Sequence, residues 1–450
     1  MNERWVTDDN GALLTDLYEL TMAASYFSHG MTEPATFDLF VRRLPEQRRF
    51  LISCGLDQAL GYLERLRFDR EAIDYLDSLG MFTDAFLAFL GNLRFTGEVS
   101  AVREGEAVFE GEPLLQITAP MIEGQIVETF LLNCVTFQTM VASKAARVSI
   151  AARGHRFVDY SLRRDHGADA GLKAARASFV GGASATSNVL AGKAFGIPVT
   201  GTMAHSYIMA FEDEVEAFRA FLTDFPRNAV VLIDTFDVEE GARNAVQVAK
   251  ELAGSGVVLR GVRIDSGDLA TLTRAVRKIL DDGGLEHVQI FLSGDLDEHK
   301  VANLLDEGVP VHAFGVGTQM GTSGDAPALA TAYKLVEDVR GPKIKLSTGK
   351  ATLPGRKQIF RVSKDGYYDH DVIGLEGESL RGRPLLDVVM ENGRRAGPLE
   401  SLEDIRDRCR GTLECLPPSL CSLEPGGDPY RVGLSDELKR LTSRMQAELK

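Results

Sequence analysis

The chain has 450 residues, 44% hydrophobic and 26% charged, ordinary globular values that exclude a disordered or fibrous protein. Its 50 Lys and Arg against 65 Asp and Glu leave a formal charge of −15, which argues against broad contact with a nucleic-acid backbone or an anionic membrane. A local basic pocket remains compatible with that balance, and the length predicts about two or three domains, each with its own core.

Met1 to Asn10 is too polar for a signal peptide. No stretch approaches the ~18 apolar residues of a membrane-spanning helix. Five cysteines, an odd number spread over a long chain, argue against a disulfide framework. Cys409, Cys415 and Cys421 recur at six-residue spacing, yet no fourth ligand stands beside them, so they read as reduced thiols. A cytoplasmic protein is expected, with neither membrane nor nucleic acid as partner.

Residues 1–90 read as mainly helical, with apolar residues at helical spacing over Leu13–Phe27 and Leu56–Leu66. From Leu93 to Ile117 short apolar runs punctuated by Glu-Gly pairs read as strands and turns, in outline a lipoyl-type sandwich without a cofactor-bearing lysine. Ile122–Ala152 reads as helix. Beyond residue 153 short apolar runs recur: Arg156–Tyr160, Ser178–Val180, Pro198–Thr202, Ala229–Ile233, Gly261–Ile264, Gln289–Leu292, Val311–Phe314 and, as an eighth candidate, Ala332–Val336. Starts roughly 20 to 35 residues apart predict β-α units around a parallel sheet. No Gly-x-Gly-x-x-Gly follows any of them, so a TIM-type barrel is favoured over a dinucleotide fold.

In such a barrel the reactive groups sit where strands end. Those positions carry Ser161 to Arg164, Gly181-Gly182, Ala204-His205-Ser206, Asp234-Thr235, Asp265 to Asp268, Ser293-Gly294-Asp295 and Gly315 to Thr318. The small residues Gly315 and Gly317 with the Thr318 hydroxyl suit a phosphate; the plain alternative is a glycine-rich turn. Asp234, Asp265, Asp268 and Asp295 would repel one another unless they met Mg²⁺, ribose hydroxyls or a developing positive charge, and Asp268 is equally suited to capping a helix. His205 is a candidate acid, base or nucleophile. Arg163 and Arg164 are candidate partners for a carboxylate or phosphate. From Ala170 to Phe211 no Asp or Glu occurs, as suits a site for an anionic substrate.

Leu14 to Met22, Thr139 to Val148, Gly201 to Ser206, Arg263 to Leu269, Phe314 to Thr318, Lys345 to Ser347 and Gly355 to Gln358 together resemble the nicotinate phosphoribosyltransferase family, in matching order over most of the chain. The resemblance implies an incomplete TIM-like α/β barrel, with a second, mixed α/β domain built from the N-terminal region and part of the C-terminal region. The implied segments are 1–152, the barrel at 153–350, and 351–450 packing back on the first.

The implied reaction joins nicotinate to phosphoribosyl pyrophosphate, giving nicotinate mononucleotide and pyrophosphate in NAD salvage, coupled to ATP hydrolysis. A homodimer with shared active sites is implied too. Asp265 and Asp295 would hold the ribose, and Mg²⁺ would ride on the pyrophosphate. Gly294, Gly315, Gly317 and Thr318 would hold the 5′-phosphate, and Arg263 would join the substrate-binding set. Arg163 would pair with the nicotinate carboxylate, helped by hydroxyls of the Thr186-Ser187 run, with Ser184, Thr186 and Ser187 left as alternative donors. Tyr160 and Tyr18 would sandwich the ring. His205 would be phosphorylated by ATP, contacted by Lys345 and Lys357. A nicotinamide transferase is the nearest competitor, but such enzymes are expected to place an acid near the ring amide, and 180–189 holds none. A non-catalytic nucleotide sensor on the same fold is the other alternative.

Overall fold

The computed structural model describes residues 5–7, 9–347, 351–424 and 426–449. The chain divides into two compact units, Lys144–Pro327 and, from both chain ends, Met1–Ser143 with Ala328–Lys450.

The Lys144–Pro327 unit is built on a six-stranded, wholly parallel sheet. Across it the strands run Ala185–Thr186, Arg156–Asp159, Ala313–Val316, Gln289–Leu292, Gly261–Ile264 and Val230–Leu232. This curled sheet with its helices is an incomplete TIM-like α/β barrel. Helix starts follow from local chemistry. Asp213, Asp237, Asp268 and Asp297 each accept a backbone N–H three residues on, satisfying a donor that the first turn leaves free. The helices then turn small and branched apolar residues inward, such as Ala242, Ala245 and Val248 on Val238–Leu252 and Val276 and Leu280 on Leu269–Asp282.

Three of the expected strands differ. Ser178–Val180 is the last turn of the helix Ala168–Val180, because alanine-rich 168–180 favours helix, and Ala185–Thr186 takes the sheet position instead. The pair Gly181-Gly182 therefore follows a helix, and a side chain at Gly182 would strike Ser149, so it is a packing contact rather than part of the site. Pro198–Thr202 forms only one bridge, Thr186 to Val199, since Pro198 has no N–H to give a ladder. The strand expected at Val311–Phe314 begins two residues later and runs Ala313–Val316.

The other unit holds a seven-stranded antiparallel sheet whose central strands are Pro34–Val41 and Pro113–Pro120. Pro34–Val41 lies in a stretch expected to be mainly helical. The candidate eighth barrel strand, Ala332–Val336, lies within Thr331–Asp338 and pairs antiparallel with Pro34–Val41 in this sheet, not in the barrel. There Tyr333 stacks on Phe37 at 5.0 Å and donates to the Gly124 carbonyl at 2.6 Å. Leu386–Glu391 pairs with Glu98–Val102, so the late chain is part of the same sheet. The expected helix 122–152 is broken at Val127 into Met121–Ile126 and Glu128–Ala152. All five cysteines are free.

Candidate active site

The carboxyl ends of the parallel strands open on a cavity of about 660 Å³, within the usual range for a small-molecule site. Arg156–Asp159 delivers Tyr160, Arg163 and Arg164 to its wall, and Gly261–Ile264 delivers Arg263 and Asp265. Gln289–Leu292 leads into Ser293, Gly294 and Asp295, and Ala313–Val316 supplies Gly315, Gly317 and Thr318. Ser187 and the run Gly201–His205 complete the lining.

The acidic side of this cavity is rigidly built. Asp234 accepts from the Asp265 N–H at 2.9 Å and from the Ser266 hydroxyl at 2.7 Å, while Ser293 donates to Asp265. Gly294 has φ +101°, and a Cβ there would lie 1.9 Å from the Asp265 carbonyl oxygen, so the close approach of these two loops requires glycine. Asp295 follows in the left-handed region at φ 47°, a conformation that stores about 1–3 kcal/mol and aims a side chain where a relaxed turn would not.

Cationic and aromatic groups line the cavity as well. The Arg263 guanidinium lies 5.9 Å from the Tyr160 ring centroid and donates to the Met203 carbonyl at 3.3 Å. Burial raises the Tyr160 phenol, and nearby Arg263 opposes that shift. The Tyr160 ring packs against Gly315, where a Cβ would lie 2.5 Å from it. His205 Nδ1 is 3.1 Å from the Thr235 hydroxyl.

Behind Tyr160 lies a buried carboxylate, Asp159. It accepts from the Ser161 N–H at 2.9 Å, the Ser161 hydroxyl at 2.6 Å and the Thr186 hydroxyl at 2.7 Å. Burial raises its pKa and these donors oppose the rise. The three alternative hydroxyls are thereby separated. Ser184 donates to the Phe157 carbonyl at 2.9 Å, Thr186 is buried on Asp159, and Ser187 lines the cavity.

The structure thus gathers Tyr160, Arg163, Ser187, His205, Arg263, Asp265, Gly294, Asp295, Gly315, Gly317 and Thr318 around one cavity. Thr186 is turned away from it, and Asp268 caps a helix, accepting from the Thr271 hydroxyl at 2.7 Å. Tyr18, Lys345 and Lys357 belong to the other unit. Tyr18 is half-exposed on the helix Leu17–Ser28 beside Glu19, whose carboxyl burial pushes up to about 7. Lys345 is exposed. Lys357 is buried, paired with Asp38 at 2.9 Å and donating to the Leu353 and Gly355 carbonyls, so its three N–H bonds are all engaged. Arg164, a candidate from the sequence, also lines the cavity, whereas Asp159 escaped selection. The one available signal for Asp159 was a carboxylate closing a short strand after two apolar residues.

A curled parallel sheet with acids, arginines and a glycine-rich turn at its carboxyl edge defines an α/β-barrel enzyme with a site for an anionic, hydroxylated ligand. Family models narrow the class: the nicotinate phosphoribosyltransferase N-terminal domain matches residues 13–136, the nicotinate phosphoribosyltransferase family 155–340, and its C-terminal domain 378–442. The chain is 47% identical over 443 residues to nicotinate phosphoribosyltransferase pncB2 of Mycobacterium tuberculosis, covering 97% of this chain and 95% of that one. It is 41% identical over 397 residues to nicotinate phosphoribosyltransferase of Bacillus subtilis, covering 86% and 80%. The crystal structure of human nicotinic acid phosphoribosyltransferase superposes with a TM-score of 0.86 at 30% identity, covering 96% of this chain and 99% of that one. The protein belongs to the nicotinate phosphoribosyltransferase family and is an enzyme.

Proposed function

We propose that the protein transfers the phosphoribosyl group of phosphoribosyl pyrophosphate to nicotinate, releasing pyrophosphate, in NAD salvage. The observation that carries this reading is one cavity lined by Arg163 and Arg263, groups suited to a carboxylate or phosphate, and by Asp265 and Asp295, groups suited to a developing ribose cation. The pyridine nitrogen forms its bond to ribose C1 as the C1–oxygen bond to pyrophosphate breaks. Positive charge builds on the ribose, and fixed carboxylates favour that state over the ground state. Gly294, Gly315, Gly317 and Thr318 take the 5′-phosphate, Arg163 with Ser187 takes the nicotinate carboxylate, and Tyr160 lies against the ring.

Among the described residues no group of three or more His, Cys, Asp or Glu is arranged to hold a metal. Mg²⁺ carried on the pyrophosphate would neutralise the leaving group. ATP coupling runs through His205. In the tautomer whose Nδ1–H donates to Thr235, Nε2 carries the lone pair that would take the terminal phosphoryl group of ATP as ADP leaves. Lys345 is free to meet ATP phosphates, whereas Lys357 is engaged by Asp38 and serves the fold.

Exposed apolar side chains of the Lys144–Pro327 unit, including Leu162, Val189, Leu190, Val199 and Met209, support a homodimer in which a second copy supplies Tyr18 to the ring. No helix among the described residues is long and apolar enough to cross a membrane. The test is to incubate the protein with phosphoribosyl pyrophosphate, Mg²⁺, ATP and, in turn, nicotinate, nicotinamide or quinolinate. Mononucleotide from nicotinate is expected. Preferred use of nicotinamide, or binding of mononucleotide without turnover, would overturn the reading.

A further inference from the structure

We propose that Asp165 is a positioning residue for the carboxylate end of the pyridine substrate. Together with Asp159 it clamps Ser161 and so fixes the turn that presents Arg163 and Arg164 to the cavity. The inference rests on the nicotinate reading above and adds to it a residue whose side chain does not line the cavity.

Ser161 is buried, and its hydroxyl lies between two carboxylates, 2.6 Å from Asp159 Oδ1 and 3.1 Å from Asp165 Oδ2. A hydroxyl has one proton to donate. Asp159 is already supplied on both oxygens, by Ser161 on one and by Thr186 on the other. Asp165 Oδ1, by contrast, is buried without a partner. The chain of bonds closes when Asp165 carries the proton: its Oδ2–H donates to Ser161 Oγ, and Ser161 donates onward to Asp159. Two carboxylates then share one negative charge across one hydroxyl. In agreement, burial first, then the neighbouring Asp159 charge, pushes Asp165 up to about 6.

The turn itself is short and tightly closed. The Arg164 N–H donates to the Ser161 carbonyl at 2.7 Å, and the Gly167 N–H to the Asp165 carbonyl at 2.8 Å. Arg163 and Arg164 are held between these anchors. The charged groups around Asp165 are Asp159 across the serine, His166 beside it and the two arginines of the turn. The helix Ala168–Val180 approaches it with Gly171, and its Asp169 and Lys173 pair with each other at 2.5 Å. Thr318–Gly321 approaches with Gly321, where a Cβ would come within 2.1 Å of Asp165 Oδ1. The carboxyl is therefore packed in from both sides.

Ionised Asp165 sets a second anion against Asp159 and an oxygen lone pair against Ser161, and it adds negative charge beside the arginines. Affinity for nicotinate is accordingly highest when Asp165 is protonated and falls as pH rises through the titration of the pair. Asparagine has the same shape and can donate from its amide to Ser161 as the protonated acid does, whatever the pH.

The experiment measures KM for nicotinate and kcat from about pH 5.5 to about pH 8 for the wild type, D165A and D165N. D165A should raise KM for nicotinate about tenfold with kcat within about twofold. D165N should match the wild type at the acid end, bind nicotinate more tightly at the alkaline end and show a flattened KM profile. A purely structural role would lower the active fraction, hence kcat, and leave KM and its pH dependence alone. Wild-type KM in D165A, or a D165N profile parallel to the wild type, overturns the proposal. Where D165A fails to fold, the D165N profile decides alone. Failure of the nicotinate reading is distinguishable, because the wild type then makes no mononucleotide from nicotinate, and this proposal falls with it.

Discussion

Substitution of Ser187 and Thr186, adjacent hydroxyls of one turn, should separate affinity from stability. The Thr186 hydroxyl donates to the buried Asp159 at 2.7 Å and accepts from the Asn188 N–H at 3.0 Å. Thr186→Val keeps the shape and removes both bonds. One leaves a buried carboxylate short of a donor and the other leaves an amide unpaired, together about 2–4 kcal/mol of folding free energy. Ser187 lines the cavity, and its N–H, which the substitution retains, donates to the Asp159 carbonyl at 2.9 Å. Ser187→Ala should leave stability within ~0.5 kcal/mol. In the proposed role it would remove a hydrogen bond to the substrate carboxylate, about 1.5–3 kcal/mol, so KM for nicotinate should rise roughly tenfold to a hundredfold. Urea denaturation and steady-state kinetics with nicotinate read the two effects. A silent Ser187→Ala, together with a Thr186→Val that raises KM at unchanged stability, would refute the assignment of the hydroxyls.

Gly294→Ala should abolish turnover while the protein still folds, since its Cβ would drive the Asp295 loop off the Asp265 carbonyl; near-normal kcat in a folded variant would remove that loop from the site. His205→Ala should lose the acid-labile phosphate that labelled ATP is expected to leave on the protein, and persistent labelling would reject His205 as the acceptor. Glu298 is fully buried between Lys144 at 2.6 Å and Arg147 at 2.9 Å, so Glu298→Gln should cost about 3–5 kcal/mol in denaturation. Despite burial these cations hold its pKa below the ordinary 4.5, so its contribution is present above that pH and is lost as pH falls through the lowered value. The variant should accordingly show less acid dependence than the wild type below about pH 4.5, and an equal slope there would contradict the pairing.

Much of the barrel was legible because its signals are local. An apolar run ending in Asp, with a helical stretch after it, encodes a strand, a loop and a capped helix within a few residues, as at Gly261–Ile264 followed by the Asp268 cap. The same locality made Asp265, Gly294, Asp295 and Gly315 stand out as strand-end residues. Misreadings came where local pattern is degenerate. Ser178–Val180 is apolar enough for a strand and long enough, joined to Ala168, for a helix. Ala332–Val336 is a true strand, but which sheet it joins depends on pairing with Pro34–Val41, almost 300 residues earlier.

By itself, then, the sequence determined the parallel α/β architecture, the family and the kinds of group at the strand ends, because periodicity, capping and turn chemistry are properties of neighbouring residues. Only the tertiary structure decided which of them share a cavity. A two-residue strand places Thr186 inward and leaves Ser187 at the cavity wall, a choice of face that no run so short can encode. Lys357 was expected at ATP from the resemblance, and Asp165 drew no reading at all. Their roles follow from partners brought by the fold, Asp38 for the one and Ser161 with Asp159 for the other. Burial sets the energy of a charge, and burial is created only when distant segments close around it.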